Sequence, residues 1–344
     1  MPITANAANR ADEGPPPTST SAVAVLEFAV LTRGLSRSFG DVHAVDSVDL
    51  RIERGTVVGL LGPNGSGKTT LIRMLSTLLR PSAGKAWIAG AEVGDDPFAV
   101  RRQIGLTGQY AAVDDFLTGR ENIRMMGRLV GMSNGDARRR ADELLESFGL
   151  SDAGDRPLST YSGGMRRRLD LALSLTSRPA IVFLDEPTTG LDPRSRFAMW
   201  QVIERLVADG TTVLLCTQYL EEADRLAERV VILDHGRVVA EGAPSELRAQ
   251  VGGDIVEVTL VDPADVVAAV GVLRTVATAA IDDVSGERVM RIPVATPDRL
   301  ADVVRLLDRA HIAFTGLTLH EPTLDDVFLT LTGRPAAKPD GDDG

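Results

Sequence analysis

Four apolar runs mark the first two thirds of the chain: "TVVGLLG" (56–62), "PAIVFLDE" (179–186), "TTVLLCT" (211–217) and "RVVILD" (229–234). Each is near-continuous rather than alternating, and stretches of helical pattern lie between them. Strands apolar on both sides and separated by helices predict a parallel sheet covered on both faces.

The rhythm changes after Gly252. "DIVEVTLV", "PADVVAAVGVLR", "VATAAI", "RVMRIPV", "PDRLADVVRLLDRAHI" and "AFTGLTLHE" follow in the order strand, helix, strand, strand, helix, strand. That order predicts a small split-βαβ module of about 75 residues. Residues 1–25, with "GPPPTSTS", and the tail 333–344 carry too little apolar surface to pack and are expected to be disordered. The division expected is therefore a first α/β domain over 26–250 and an α+β accessory domain over 251–332.

At 344 residues the chain suits two or three domains. Its net charge of −11 argues against a general nucleic-acid binder. No stretch approaches the roughly 20 apolar residues of a spanning helix, and the acidic N-terminus does not read as a secretory signal. The single cysteine, Cys216, sits inside an apolar run and reads as a small buried hydrophobe. The four histidines lack metal-ligand spacing. The arginine runs 138–140 and 166–168 read as solvated helix faces rather than a site for anionic lipid or nucleic acid.

Candidate chemistry begins where the first apolar run breaks. Gly62, Gly67, Lys68 and Thr69 match G-x-x-x-x-G-K-[ST] between a strand and a helix. In such a loop, here including Asn64, Gly65 and Ser66, glycines let backbone N–H groups turn onto phosphates. The helix N-terminus, from Lys68 through Thr70, adds its positive end. Lys68 would reach the β- and γ-phosphates of ATP, and the Thr69 hydroxyl would ligate Mg²⁺. "IVFLDEP" brings Asp185 to a strand end as a second Mg²⁺ ligand. Glu186 is either the base that orients attacking water or the cap of a turn before Pro187. Gln218, in "CTQYLEEAD", is either a polar strand end or a nucleotide contact. "YSGGMRRRLDLALSL" opens an amphipathic helix with Ser162 near its N-cap.

The phosphate loop, the Ser-Gly-Gly-Met helix, "FLDEP" and "TGLDP" stand in an order and spacing that resembles the ATPase domains of ABC transporters over residues 28–250. The resemblance implies an α/β P-loop NTPase fold of the ABC ATPase type, making 26–250 the nucleotide-binding domain: a parallel-sheet core, an antiparallel β subdomain and a helical subdomain at about 110–175. It implies a head-to-tail homodimer in which Ser162, Gly163, Gly164 and Asp192 serve the partner subunit's ATP. Gln109 in "LTGQ" resembles the residue at the metal and γ-phosphate, and Phe39 in "RSFG" the aromatic that stacks on adenine. Met165 stands where glutamine is usual. Gln218 occupies the place of a switch histidine and is read as touching nucleotide. The passages "GLTGQYAAVDDFLTGRENIRMMGRL" and "EPTLDDVF" are similar to one subgroup, the ATP-binding subunits of daunorubicin/doxorubicin-type drug-resistance exporters. That likeness implies a peripheral subunit at the cytoplasmic face of the membrane, docked on a separate permease through the helical stretch from about 115 to 160, and exporting a hydrophobic drug. Met125 and Met126 in that stretch are either part of the contact or core packing. Rivals are export of a lipid or polysaccharide precursor, and a soluble ABC ATPase of DNA repair or translation. The "EPTLDDVF" segment comes late enough to reach back onto the partner.

Overall fold

The computed structural model describes residues 26–108, 113–251, 253–283 and 288–332. The expectations for the two termini, and for Gln109, lie outside these residues. An antiparallel sheet is built from β1 (Phe28–Phe39), β2 (Val42–Val48), β3 (Arg51–Glu53), β5 (Ala83–Ile88) and β6 (Ala91–Glu92). The four apolar runs form β4 (Val57–Leu61), β8 (Ile181–Asp185), β9 (Thr212–Cys216) and β10 (Arg229–Asp234). With β7 (Ile104–Thr107) and β11 (Arg237–Gly242) they make a second sheet in the order β11-β10-β4-β9-β8-β7, parallel except at β11.

Why these strands read as unbroken apolar runs is visible in their packing. Along β9, Val213 and Leu215 enter one core while Leu214 and Cys216 enter the other. Strands β4, β8 and β10 divide in the same alternating way, so each needs apolar side chains on both faces. Cys216 is fully buried, and burial pushes its thiol well above the ordinary range. It is packing material, not a nucleophile.

A helical layer formed by Gly119–Leu129, Asn134–Ser147 and Gly163–Ser174 adjoins one face. Thr118 and Glu121 cap its first helix reciprocally, Thr118 Oγ1 accepting from the Glu121 N–H and Glu121 from the Thr118 N–H.

The last part of the chain makes a separate sheet from β12 (Ile255–Leu260), β13 (Asp282–Asp283), β14 (Val289–Pro293) and β15 (Phe314–His320), ordered β13-β14-β12-β15. Helices Val266–Leu273 and Arg299–Arg309 join these strands, giving the split-βαβ order with antiparallel neighbours. The chain then returns. Helix Leu324–Thr332 is capped by Thr323 and Asp326, which exchange hydrogen bonds in both directions. Its face of Leu324, Val327 and Phe328 completes the core of the large domain. The "EPTLDDVF" segment thus reaches back onto its own chain. Replacing the buried Phe328 with alanine is expected to cost about 3–5 kcal/mol, read as a shift in chemical denaturation. A loss below roughly 1 kcal/mol would show that this helix is dispensable to the core.

Candidate nucleotide site

Parallel pairing places three motifs side by side. Strands β4, β9 and β8 are neighbours, and the phosphate loop, Gln218 and Glu186 leave their carboxyl ends in that order. The carboxyl edge of a parallel sheet is where ligands bind.

The loop is tight. A Cβ on Gly62 would sit 2.2 Å from the Leu233 carbonyl oxygen, and one on Gly67 would sit 2.2 Å from that of Ala44. Gly67, at φ 108°, is the N-cap of helix Lys68–Leu75, so only glycine fits both the space and the backbone. Lys68 is folded back into the loop, its Nζ donating to the carbonyls of Gly62 at 2.6 Å and Pro63 at 3.1 Å. Burial lowers its pKa, while Cys216, Glu186 and Asp185 pull the other way. The ammonium therefore already occupies the floor onto which phosphates would settle.

Asp185 is buried at the end of β8. Desolvation raises its carboxyl pKa, Glu186 adds to the rise, and the Thr69 hydroxyl and Lys68 oppose it. Thr69 and Asp185 are thus brought together as hard oxygen donors, the chemistry Mg²⁺ prefers. Glu186 is half-buried with φ 51°, a conformation uncommon for a residue with a Cβ. Its N–H donates to Cys216 O at 2.8 Å, and its carboxylate accepts from Thr189 Oγ1 at 3.2 Å. Gln218 is half-buried in a narrow hollow with Gly62, Pro63, Thr217 and Phe328, so it adjoins the phosphate loop.

Other expected residues lie outward. Phe39, at the end of β1, is 48% exposed with the Arg37 guanidinium 4.7 Å from its ring centre. Ser162 caps helix Gly163–Ser174, its Oγ accepting from the Met165 N–H at 3.3 Å. Ser162, Gly163 and Asp192 are all exposed. A Cβ on Gly164 would lie 2.7 Å from Ser195 Oγ, which itself donates to Asp192 at 2.6 Å. The Ser-Gly-Gly start therefore lies against Ser195, which in turn is hydrogen-bonded to Asp192 of the "TGLDP" turn. Met126 packs against the core, whereas Met125, Leu129, Val130 and Phe116, the last 97% exposed, are all on the surface.

Three features were missed by the sequence reading. The run 166–168 is not a solvated face: Arg166 pairs with Asp115, Arg168 donates to Phe148 O, and Arg167 is largely buried with its guanidinium on main-chain carbonyls. Arg140 likewise turns inward, donating to Leu175 O at 2.7 Å. Glu222, one of the carboxylates in "CTQYLEEAD", is fully buried and accepts from Trp200 Nε1 at 3.1 Å; desolvation raises its pKa.

A family model described as ABC transporter matches residues 45–189. The chain is 50% identical to the daunorubicin resistance ATP-binding protein DrrA2 of Streptomyces coeruleorubidus, over 89% of this chain and 96% of that protein. It is 46% identical to the doxorubicin resistance ATP-binding protein DrrA of Mycobacterium tuberculosis, over 90% and 95%. The Nod factor export ATP-binding protein I of Ralstonia nicotianae is 39% identical, over 88% and 92%. Among solved structures, the dimeric ATP-binding cassette MJ0796, in a post-hydrolysis state bound to ADP and Pi, is similar with TM-score 0.56 and 28% identity, covering 62% of this chain and 98% of that one.

Proposed function

Because the chain belongs to the ABC transporter family as an ATP-binding, ATP-hydrolysing subunit, we propose that it works as a head-to-tail homodimer energising export of a hydrophobic, anthracycline-like drug through a separate permease. The observation that carries the substrate class is the 46–50% identity to drug-resistance ATP-binding proteins along almost their whole length. The 39% identity to a Nod factor export protein supports a second reading, export of another substrate by the same machinery. Among the described residues no helix is long and apolar enough to cross a membrane. In this reading the subunit sits at the cytoplasmic face, and the exposed Phe116, Met125 and Leu129 meet the permease.

Each ATP would lie against the phosphate loop of one chain, its adenine on Phe39 and its phosphates on Gly62–Thr70. The partner's Ser162–Gly164 helix start and Asp192 would close over it, the helix end favouring the γ-phosphate charge. Thr69, Asp185 and Gln109 would hold Mg²⁺. Among the described residues no three acidic, histidine or cysteine side chains form a metal cage, so phosphate oxygens and water would complete the shell. The ion would neutralise charge developing on the phosphates. Glu186 would orient the attacking water, and its bond to Thr189 would keep the carboxylate on the turn.

Deleting a neighbouring permease gene, or this subunit, and scoring drug susceptibility separates the two readings. Hypersensitivity to anthracyclines supports drug export, and unchanged susceptibility with loss of another exported compound supports the second. At the switch position an amide donates to a phosphate oxygen but cannot titrate near neutrality. Gln218→Ala is therefore expected to slow hydrolysis more than Gln218→His, and wild-type turnover to show no pH step from this position. Equal rates for Gln218→Ala and wild type would sink that assignment.

A further inference from the structure

Arg167 does something its neighbours do not. Its Nη1 donates to the Gly108 carbonyl at 2.7 Å, Nε to Pro187 O at 2.8 Å, and Nη2 to Glu186 O at 2.8 Å and Asp185 O at 3.2 Å. The side chain is 13% exposed, with Asp170 one turn further on at 3.6 Å. A planar fork with five donors suits four fixed acceptors, and no other side chain offers that geometry. Burial lowers the guanidinium pKa, with Asp170 and then Asp185 opposing, but arginine stays charged in proteins.

The four carbonyls belong to two places that matter. Gly108 immediately precedes Gln109, and Asp185, Glu186 and Pro187 are the turn at the mouth of β8. Arg167 itself rides on the helix whose first turn exposes Ser162 and Gly163. Glu186 holds a positive φ of 51°, a strained state for a residue with a Cβ that persists only where surroundings over-determine it. The guanidinium on its carbonyl, and Cys216 O on its N–H, are those surroundings.

We propose that Arg167 is a positioning residue that makes the placement of Glu186, and of the segment entering Gln109, depend on the position of the Ser162–Gly164 helix start. The proposal rests on the head-to-tail dimer reading. There the helix start answers to the partner subunit's ATP while Glu186 serves the chain's own. One side chain thus links the two nucleotides of a dimer.

The test compares wild type, Arg167→Met and Arg167→Lys as purified full-length chains. ATP affinity, thermal midpoint, kcat and the Hill coefficient of turnover against ATP are measured for each. For Arg167→Met we expect an ATP Kd within about threefold of wild type and a kcat lower by roughly 30- to 100-fold, the cost of an ångström-scale misplacement. The Hill coefficient should fall to about 1, the value for uncoupled sites. Arg167→Lys should fall between, since an ammonium cannot span four carbonyls. A folded Arg167→Met chain with wild-type kcat and Hill coefficient overturns the proposal. So does a parallel loss of affinity, kcat and thermal midpoint, the pattern of a merely structural residue. If Arg167→Met does not fold, Arg167→Lys is judged by the same criteria, a kcat loss of about fivefold at unchanged Kd being the supporting result. Failure of the dimer reading shows separately, as a Glu186→Gln chain that remains monomeric with ATP, and takes the coupling with it.

Discussion

Glu186→Gln is expected to lower ATP turnover by a factor of about 10²–10⁴, the usual worth of a positioned base, while ATP binding survives. The backbone at this position is set by its N–H on Cys216 O and by Arg167 on its carbonyl. An isosteric amide leaves both in place, so the turn should keep its shape. What is lost is the proton acceptor beside the attacking water. Closure then has no exit through hydrolysis, and size-exclusion chromatography with ATP should show a trapped dimer. Retention of more than about a tenth of the wild-type rate would move the base elsewhere in the site.

Lys68→Met should act at the opposite step. Truncating one member of a desolvated charge pair costs about 2–5 kcal/mol, so ATP affinity should fall by at least roughly 30-fold. The loss has two parts. The phosphates lose their cation, and the carbonyls of Gly62 and Pro63 lose the donor that now holds the loop in shape. Isothermal titration with a non-hydrolysed ATP analogue checks this. An affinity within threefold of wild type would mean that the ammonium is not a phosphate ligand. Together the two variants separate binding from turnover: Lys68→Met empties the site, and Glu186→Gln fills it permanently.

The sheet and the phosphate loop were legible because their signals are local. Doubly buried strands must be apolar at consecutive positions, and a loop whose glycines meet the carbonyls of Leu233 and Ala44 tolerates no side chain there. The inward turn of Arg167 was harder. Three consecutive arginines look alike in one dimension. Yet Gly164, Arg167, Asp170 and Leu171 lie at helical spacing, and the last two are buried, so the buried stripe was written in the sequence. The landing place of helix Leu324–Thr332 was not written there. Its Leu324, Val327, Phe328 stripe says that the helix docks, but the surface it meets is assembled from residues far away in the chain. Glu222 escaped for a similar reason: the Thr217 and Thr188 hydroxyls and the indole of Trp200, which make a buried carboxylate tenable, all come from other elements of the fold.

That late helix also orders events at the ribosome. The chain is made from the N-terminus, and domains generally fold as they emerge. Here the phosphate loop and its strands come out early, but the hollow beside Gly62 and Gln218 lacks Phe328 until the whole four-stranded module has followed. A nascent chain arrested before Leu324 would therefore hold an open core and depend on chaperones. The nucleotide site would mature in one late step, after synthesis has passed the accessory sheet.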